Sequence, residues 1–211
     1  AIKAQQSSPP GMSSRPPPPM AGEESDDRLE TMRRRLASVQ DFLSALAAIG
    51  ELDPAEVPAQ TDVVELARTA VRALGSRLER QNVEIDLALP SEPAFVTAAP
   101  GAISVLVREL MSQAIAASSP GGRVKVTLTP RSRTLGTRLV IDDSGPALPA
   151  SARRSLLWLE LDPGTYGRPS AVPLFVAAEI VVWQGGLLEI GDAPIAGAAG
   201  GGVRVTVTFP L

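Results

Sequence analysis

Between Glu23 and Ile49 the apolar residues Leu29, Met32, Leu36, Val39, Leu43 and Leu46 recur at alternating spacings of three and four, the heptad seam of a helix that meets another helix. One long helix is predicted over 23–49. Phe42 and Ile49 widen its stripe, so it either pairs with its own copy or packs on its own domain. Pro54 and Pro58 end it. Asp62 then caps a second helix, with Glu65 offering the reciprocal half of a capping box and Val63, Leu66, Ala70, Leu74 and Leu78 forming its apolar face. Val83, Ile85, Leu87 and Leu89 alternate with polar residues as in a one-sided strand over 83–89. A helix beginning near Pro100 carries Ile103, Leu106, Val107, Leu110 and Ala114 on one side, and the Pro-Gly-Gly at 120–122 stops it. Strands at 123–129 and 137–143 read as a hairpin. A helix over 171–183, a short strand at 187–190 and an alternating strand at 203–209 complete the chain. After the long helix the order is helix, strand, helix, strand, strand, helix, strand, strand. Its simplest packing is a two-layer α/β sandwich with the helices on one face of a mixed sheet.

Three segments follow: a Pro/Ser-rich linker at 1–22, expected to be disordered or to offer a Pro-rich docking motif; the helical segment 23–58, a dimerisation or bundle element; and the α/β domain 59–211. The arginines at 33–35 read as the solvated side of the long helix. The Gly-rich stretch 197–202 reads as a hairpin loop, because no helix follows it to make a phosphate site. With 44% apolar residues over 211 the domain can bury a substantial core. A formal charge of −3 and 3% aromatic residues give no basic field and few stacking platforms, which argues against nucleic acid. The chain has no cysteine and no histidine, which removes disulfides, thiolate metal sites, the commonest general base and any phosphohistidine. No apolar run spans a bilayer, and the chain reads as a cytoplasmic piece of something longer.

The chemistry-bearing stretch is "VIDDSGPALP" at 140–149. An apolar strand runs into Asp143, Gly145 and a Pro-containing turn, with Ala147 where a second Gly would complete a repeat. With "ELMSQAIAASSPGGRVKV" at 109–126, "SAVPLFVAAEIVVWQGGLLEI" at 170–190 and "GGGVRVTVTFPL" at the end, it resembles in order the four boxes of the catalytic ATP-binding domain of sensor histidine kinases. That domain belongs to the superfamily of gyrase B, Hsp90 and MutL. The resemblance covers 62–211 and implies the histidine-kinase-like ATPase fold.

Carried over residue by residue, the resemblance puts Asp143 where the family accepts the adenine amino group and Gly145 where the backbone approaches the ring. Gln113 stands for the Asn that helps hold Mg²⁺, and its extra methylene shifts the oxygen by about 1.5 Å, a serious misplacement for a near-octahedral ion. Glu109 matches a position that some relatives use to activate water or the acceptor, and Ala116 replaces a Lys directed at the phosphates. Pro169, Ala171 and Pro173 align with the three lid glycines, and proline has neither the amide proton nor the torsions of a phosphate cradle. Trp158 reads as a packing residue rather than the lid aromatic. The plain alternatives stay open: Asp143 as a strand-end turn cap, and Glu109 and Gln113 as polar residues on the exposed side of a helix.

In the family a two-helix hairpin carries the phospho-accepting His. Here one helix resembles its second half, without that His. The expectation is a degenerate, pseudokinase-like module with no catalytic residues, no metal site and no required cofactor. It would be a homodimer through Leu29, Met32, Leu36, Val39, Leu43 and Leu46, working as a scaffold with a response-regulator receiver or other signalling protein. Binding of ATP or ADP with Mg²⁺, by a kinase or ATPase with an atypical lid, and nucleotide sensing without hydrolysis are the alternatives.

Overall fold

The structure, a computed structural model, describes Leu29, Met32, Leu36, Val39, Gln40 and residues 42–44, 46–195 and 201–210. The linker at 1–22 and the arginines at 33–35 lie outside them, as does most of the Gly-rich loop. The chain divides into two compact units, residues 1–36 and 37–211. In the first, Leu29, Met32 and Leu36 are helical and at least half exposed. In the second, the described residues of 39–50 form helix α1, whose seam positions Val39, Leu43 and Leu46 are between 47% and 58% exposed. Ala48 is fully buried and Leu52 packs on the core, so the end of this helix seats on its own domain while the seam does not.

The domain begins with β1 (Ala59–Asp62) and α2 (Val63–Gln81), followed by β2 (Glu84–Ala88) and β3 (Phe95–Ala98). Next come α3 (Pro100–Ala117), β4 (Arg123–Thr129) and β5 (Arg138–Asp142). The last elements are α4 (Ala150–Leu157), a 3-10 turn (Pro163–Tyr166), α5 (Val172–Trp183), β6 (Leu187–Ala193) and β7 (Gly202–Thr208). Five strands form one sheet in the order β2-β4-β5-β7-β6, parallel at β2–β4 and antiparallel elsewhere. The parallel pair is the one that needs a helical crossover, and α3 lies between its strands in sequence. Strands β1 and β3 form a separate antiparallel ribbon. Helices α2 and α5 both pack on α3, the helices cover one face of the sheet, and the two-layer sandwich is the observed architecture.

The opposite face is charged in a self-cancelling way. Cross-strand register aligns Asp86, Lys125, Asp142 and Arg204 in one row of alternating sign. Arg204 donates to both oxygens of Asp142 at 2.7 and 2.8 Å, and Arg123 pairs with Glu84 at 3.0 Å.

Several local expectations need correcting. Asp62 does cap α2, accepting from Val64 N at 3.0 Å, but the capping box is not reciprocal. Glu65 instead accepts from Arg72 at 2.9 Å. The ribbon, α4 and the 3-10 turn are all additions to the predicted order. The strand at 83–89 is an edge strand whose Leu87 is exposed, since nothing pairs beyond it among the described residues.

Candidate functional site

Asp143 follows the last residue of β5, and its position is fixed by backbone on both sides. Its amide donates to Val203 O on β7 at 3.0 Å. Its Oδ1 accepts from Gly145 N at 2.9 Å and Val203 N at 3.3 Å. The turn-cap reading of Asp143 therefore describes part of what this side chain does. Gly145 is required by close approach: a Cβ there would overlap the Ala117 carbonyl oxygen at the end of α3. Ser144 completes the junction, donating from its amide to Ser118 Oγ at 3.3 Å while its own Oγ accepts from Arg123 N at 2.8 Å.

The remaining oxygen of Asp143 is taken by a residue that the sequence patterns did not single out. Arg168, in the segment between the 3-10 turn and α5, donates from Nη2 to Asp143 Oδ2 at 2.5 Å and from Nη1 to Oδ1 at 3.2 Å. Nη1 also donates to Pro146 O at 2.5 Å. Both charged side chains are 4% exposed. A guanidinium fork on a carboxylate is the geometry in which a buried ion pair can repay its desolvation. No run, spacing or composition signal marks Arg168, because its partner lies on a distant loop.

Gln113 and Glu109, on α3, are buried at 8% and 5% exposure, which overturns their reading as polar residues on an exposed helix side. Helix α3 is buried around most of its circumference, so a one-sided apolar stripe underestimates its core face. Gln113 Nε2 donates to Ser170 O at 3.0 Å, whereas its Oε1 is buried with no hydrogen-bond partner. Glu109 accepts from Arg108 Nε at a marginal 3.4 Å. Burial pushes its carboxyl above the ordinary value, and the Arg108 charge opposes that rise without cancelling it. Ala147 and Ala116 are half-buried and bring no polar side-chain group.

Around Asp143, Gln113 and Arg168 the walls are Leu110, Ile141, Leu148, Leu156 and Val203, and they leave a cavity of about 20 Å³. That is little more than one water. Of the residues aligned with the lid glycines, Ala171 precedes α5 as its N-cap and Pro173 lies in its first turn, while Pro169 follows Arg168 directly. Trp158, at the end of α4, is 58% exposed and thus a surface residue.

The residues do not fit a magnesium nucleotide in this arrangement. Asp143 is occupied from within, the space is far below that of a purine, and Gln113 offers one neutral amide oxygen where Mg²⁺ needs a set of oxygen ligands. Among the described residues there is no cluster of acidic side chains suited to a metal. The groups can do something else: they lock the 158–171 segment onto the ends of β5 and α3.

No family model matches the chain. It is 29% identical over 153 residues to the signal transduction histidine-protein kinase/phosphatase MprB of Mycolicibacterium vanbaalenii, covering 71% of this chain and 31% of that protein. It is 30% identical over 114 residues to the sensor protein QseC of Salmonella typhi, covering 54% of this chain and 24% of that one. The chain thus spans less than a third of the length of these curated relatives. Among solved structures, a mycobacterial sensor histidine kinase MprB superposes with a TM-score of 0.58 at 23% identity, over 74% of this chain and 100% of that one. The catalytic domain of histidine kinase ThkA superposes with a TM-score of 0.61 at 18% identity, over 72% of this chain and 96% of that one. The fold is that of histidine-kinase catalytic domains, as the four boxes implied. No helix among the described residues is long and apolar enough to cross a membrane.

Proposed function

We propose that this chain, whose second unit has the fold of a histidine-kinase catalytic domain, is a two-component-type signalling module that acts by binding and not by turning over ATP. The observation that carries this reading is Arg168 on both oxygens of Asp143, the side chain that in the family receives adenine. The chemistry of the rest is consistent with it. The phosphate-facing Lys is Ala116, prolines stand where a cradle of amides is needed, and no histidine is present to accept a phosphoryl group. In the cytoplasm such a module would pair with its own copy through the exposed seam Leu29, Met32, Leu36, Val39, Leu43 and Leu46, and offer the dimer to a response-regulator receiver or another signalling protein. The expected result of incubating the full chain with γ-labelled ATP and Mg²⁺ is no label on the chain and no phosphate release above a protein-free control. Transfer or turnover above that control contradicts the reading.

A further inference from the structure

Phe175, Glu179 and Trp183 follow one another at intervals of four along α5, so they stand in one row with the carboxylate between two aromatic side chains. Opposite this row lie Ile49 at the end of α1 and Leu52 just beyond it. Together with Ile180 they line an open cavity of about 300 Å³, at the lower end of the range that small-molecule sites occupy. All of these residues belong to the second unit, and none of them lines the compartment around Asp143.

The two walls are anchored separately. Ala48 is fully buried, Glu51 accepts from Arg108 at 2.8 Å, and both oxygens of Glu56 accept from Gly101 N, at 2.8 and 3.0 Å. The end of α1 and the chain after it are thus tied to α3 on both sides of Leu52, and the space beside α5 stays open. Leu174, Ala177 and Val181 bury the other side of α5 in the core. Glu179 itself is exposed and makes no hydrogen bond or ion pair among the described residues. A carboxylate flanked by aromatic side chains in an apolar site selects by charge: it attracts a cation and repels an anion, and the negative face of an aromatic ring acts in the same direction.

We propose that this cavity is a binding site for an organic ammonium ion with an aryl or aliphatic body. The body lies against Ile49, Leu52, Ile180 and the two aromatic side chains, and the ammonium head meets Glu179. Because the walls come from the end of α1 and from α5, the bound ion touches both and fastens the seam-bearing helix to the α/β domain.

The full chain is titrated by calorimetry with 1-naphthylmethylammonium, neutral 1-naphthylmethanol and anionic 1-naphthoate. Saturable binding of the ammonium ion below about 1 mM is expected, at least about fivefold tighter than the alcohol, with the carboxylate weaker still. Glu179→Gln, at an exposed position, should leave the melting transition in place and bring the ammonium ion and the alcohol within about twofold of each other. Trp183→Ala should weaken both by removing part of a wall. The proposal is overturned if the ammonium ion does not saturate by about 1 mM, or if the three probes bind alike, because the groove is then apolar only. It is equally overturned if the preference for the ammonium ion survives Glu179→Gln, or if its binding is indifferent to Trp183→Ala, because the ion is then held elsewhere.

Discussion

Asp143 and Glu109 are both buried carboxylates, and they meet opposite electrostatic fates. Asp143 receives a bidentate guanidinium and two backbone amides. Removing one member of such a pair leaves the other charge stranded, which costs about 3–5 kcal/mol. Arg168→Ala is therefore expected to lower the urea midpoint sharply. The uncharged double replacement Asp143→Asn with Arg168→Met, which keeps an acceptor for the Gly145 and Val203 amides, should recover much of the loss; a double variant as weak as the single one contradicts this. Glu109 has the raised carboxyl described above, with Arg108, Glu51 and Arg77 as its charged neighbours. A group whose native pKa lies above its unfolded value adds stability at pH below the unfolded value and loses it as pH rises through the native one. At neutral pH the ionised side chain is thus a burden. Glu109→Gln should be more stable at pH 7, by on the order of 1 kcal/mol. The advantage should shrink as the pH falls through the raised native value, and level off below the ordinary carboxylate range, where Glu109 is protonated in both the native and the unfolded state. A less stable variant at pH 7 would show that the Arg108 contact outweighs burial. At this scale the motif positions Asp143 and Gly145 were readable in the sequence, because a turn and a close approach leave a Gly and an Asp in place. Arg168 was not readable, since a contact between residues 25 apart leaves no periodic trace.

Elements with local causes follow the sequence most closely. Asp62 before α2, Pro100 at the start of α3 and the turn at 120–122 are set by capping and backbone torsion, and each lies where the pattern places it. Strands β1 and β3 escape the pattern because four residues give alternation too little length. Helix α4 escapes because it is short, with Ala152 and Leu156 as its only fully buried positions. The junction of α3 with the β5 loop yields a prediction of its own. Gly145→Ala forces a Cβ into the Ala117 carbonyl, so one backbone must shift, at about 1–3 kcal/mol. A lowered midpoint of that size is expected on chemical denaturation, and an unchanged one would mean that the loop yields freely. The exposed seam makes the second. Each leucine buried there stabilises an assembly by about 1.5–3 kcal/mol, and aspartate in its place must be desolvated. The expected outcome for Leu36→Asp with Leu43→Asp is a monomer by sedimentation whose α/β domain still melts cooperatively. The unmodified chain running as a monomer at micromolar concentration would refute the dimer. Loss of the domain fold in the double variant would place the helix in the core.

For the whole molecule, the sandwich was legible because the period of two and the period near 3.6 change over in an order that few topologies accommodate. The fold alone does not decide between an enzyme and a binding module, since one fold hosts many functions and the site must speak. Here three departures from the family pattern that the resemblance implies bear on it, and they meet around one compartment: Gln113 for an Asn, Pro169 and Pro173 for glycines, and Arg168 on Asp143. Because each removes a different requirement, repairing one should not restore chemistry, and Gln113→Asn alone is expected to leave ATP hydrolysis at background. The most direct measurement is titration calorimetry of the unmodified full chain with ATP in the presence of Mg²⁺, repeated with ADP alone. A closed, self-occupied pocket predicts no binding heat for either up to about 1 mM nucleotide, a ceiling equivalent to roughly −4 kcal/mol. Saturable, Mg²⁺-dependent ATP binding in the micromolar range would show that Arg168 yields to nucleotide, and would contradict the reading of this chain as a module that works without ATP.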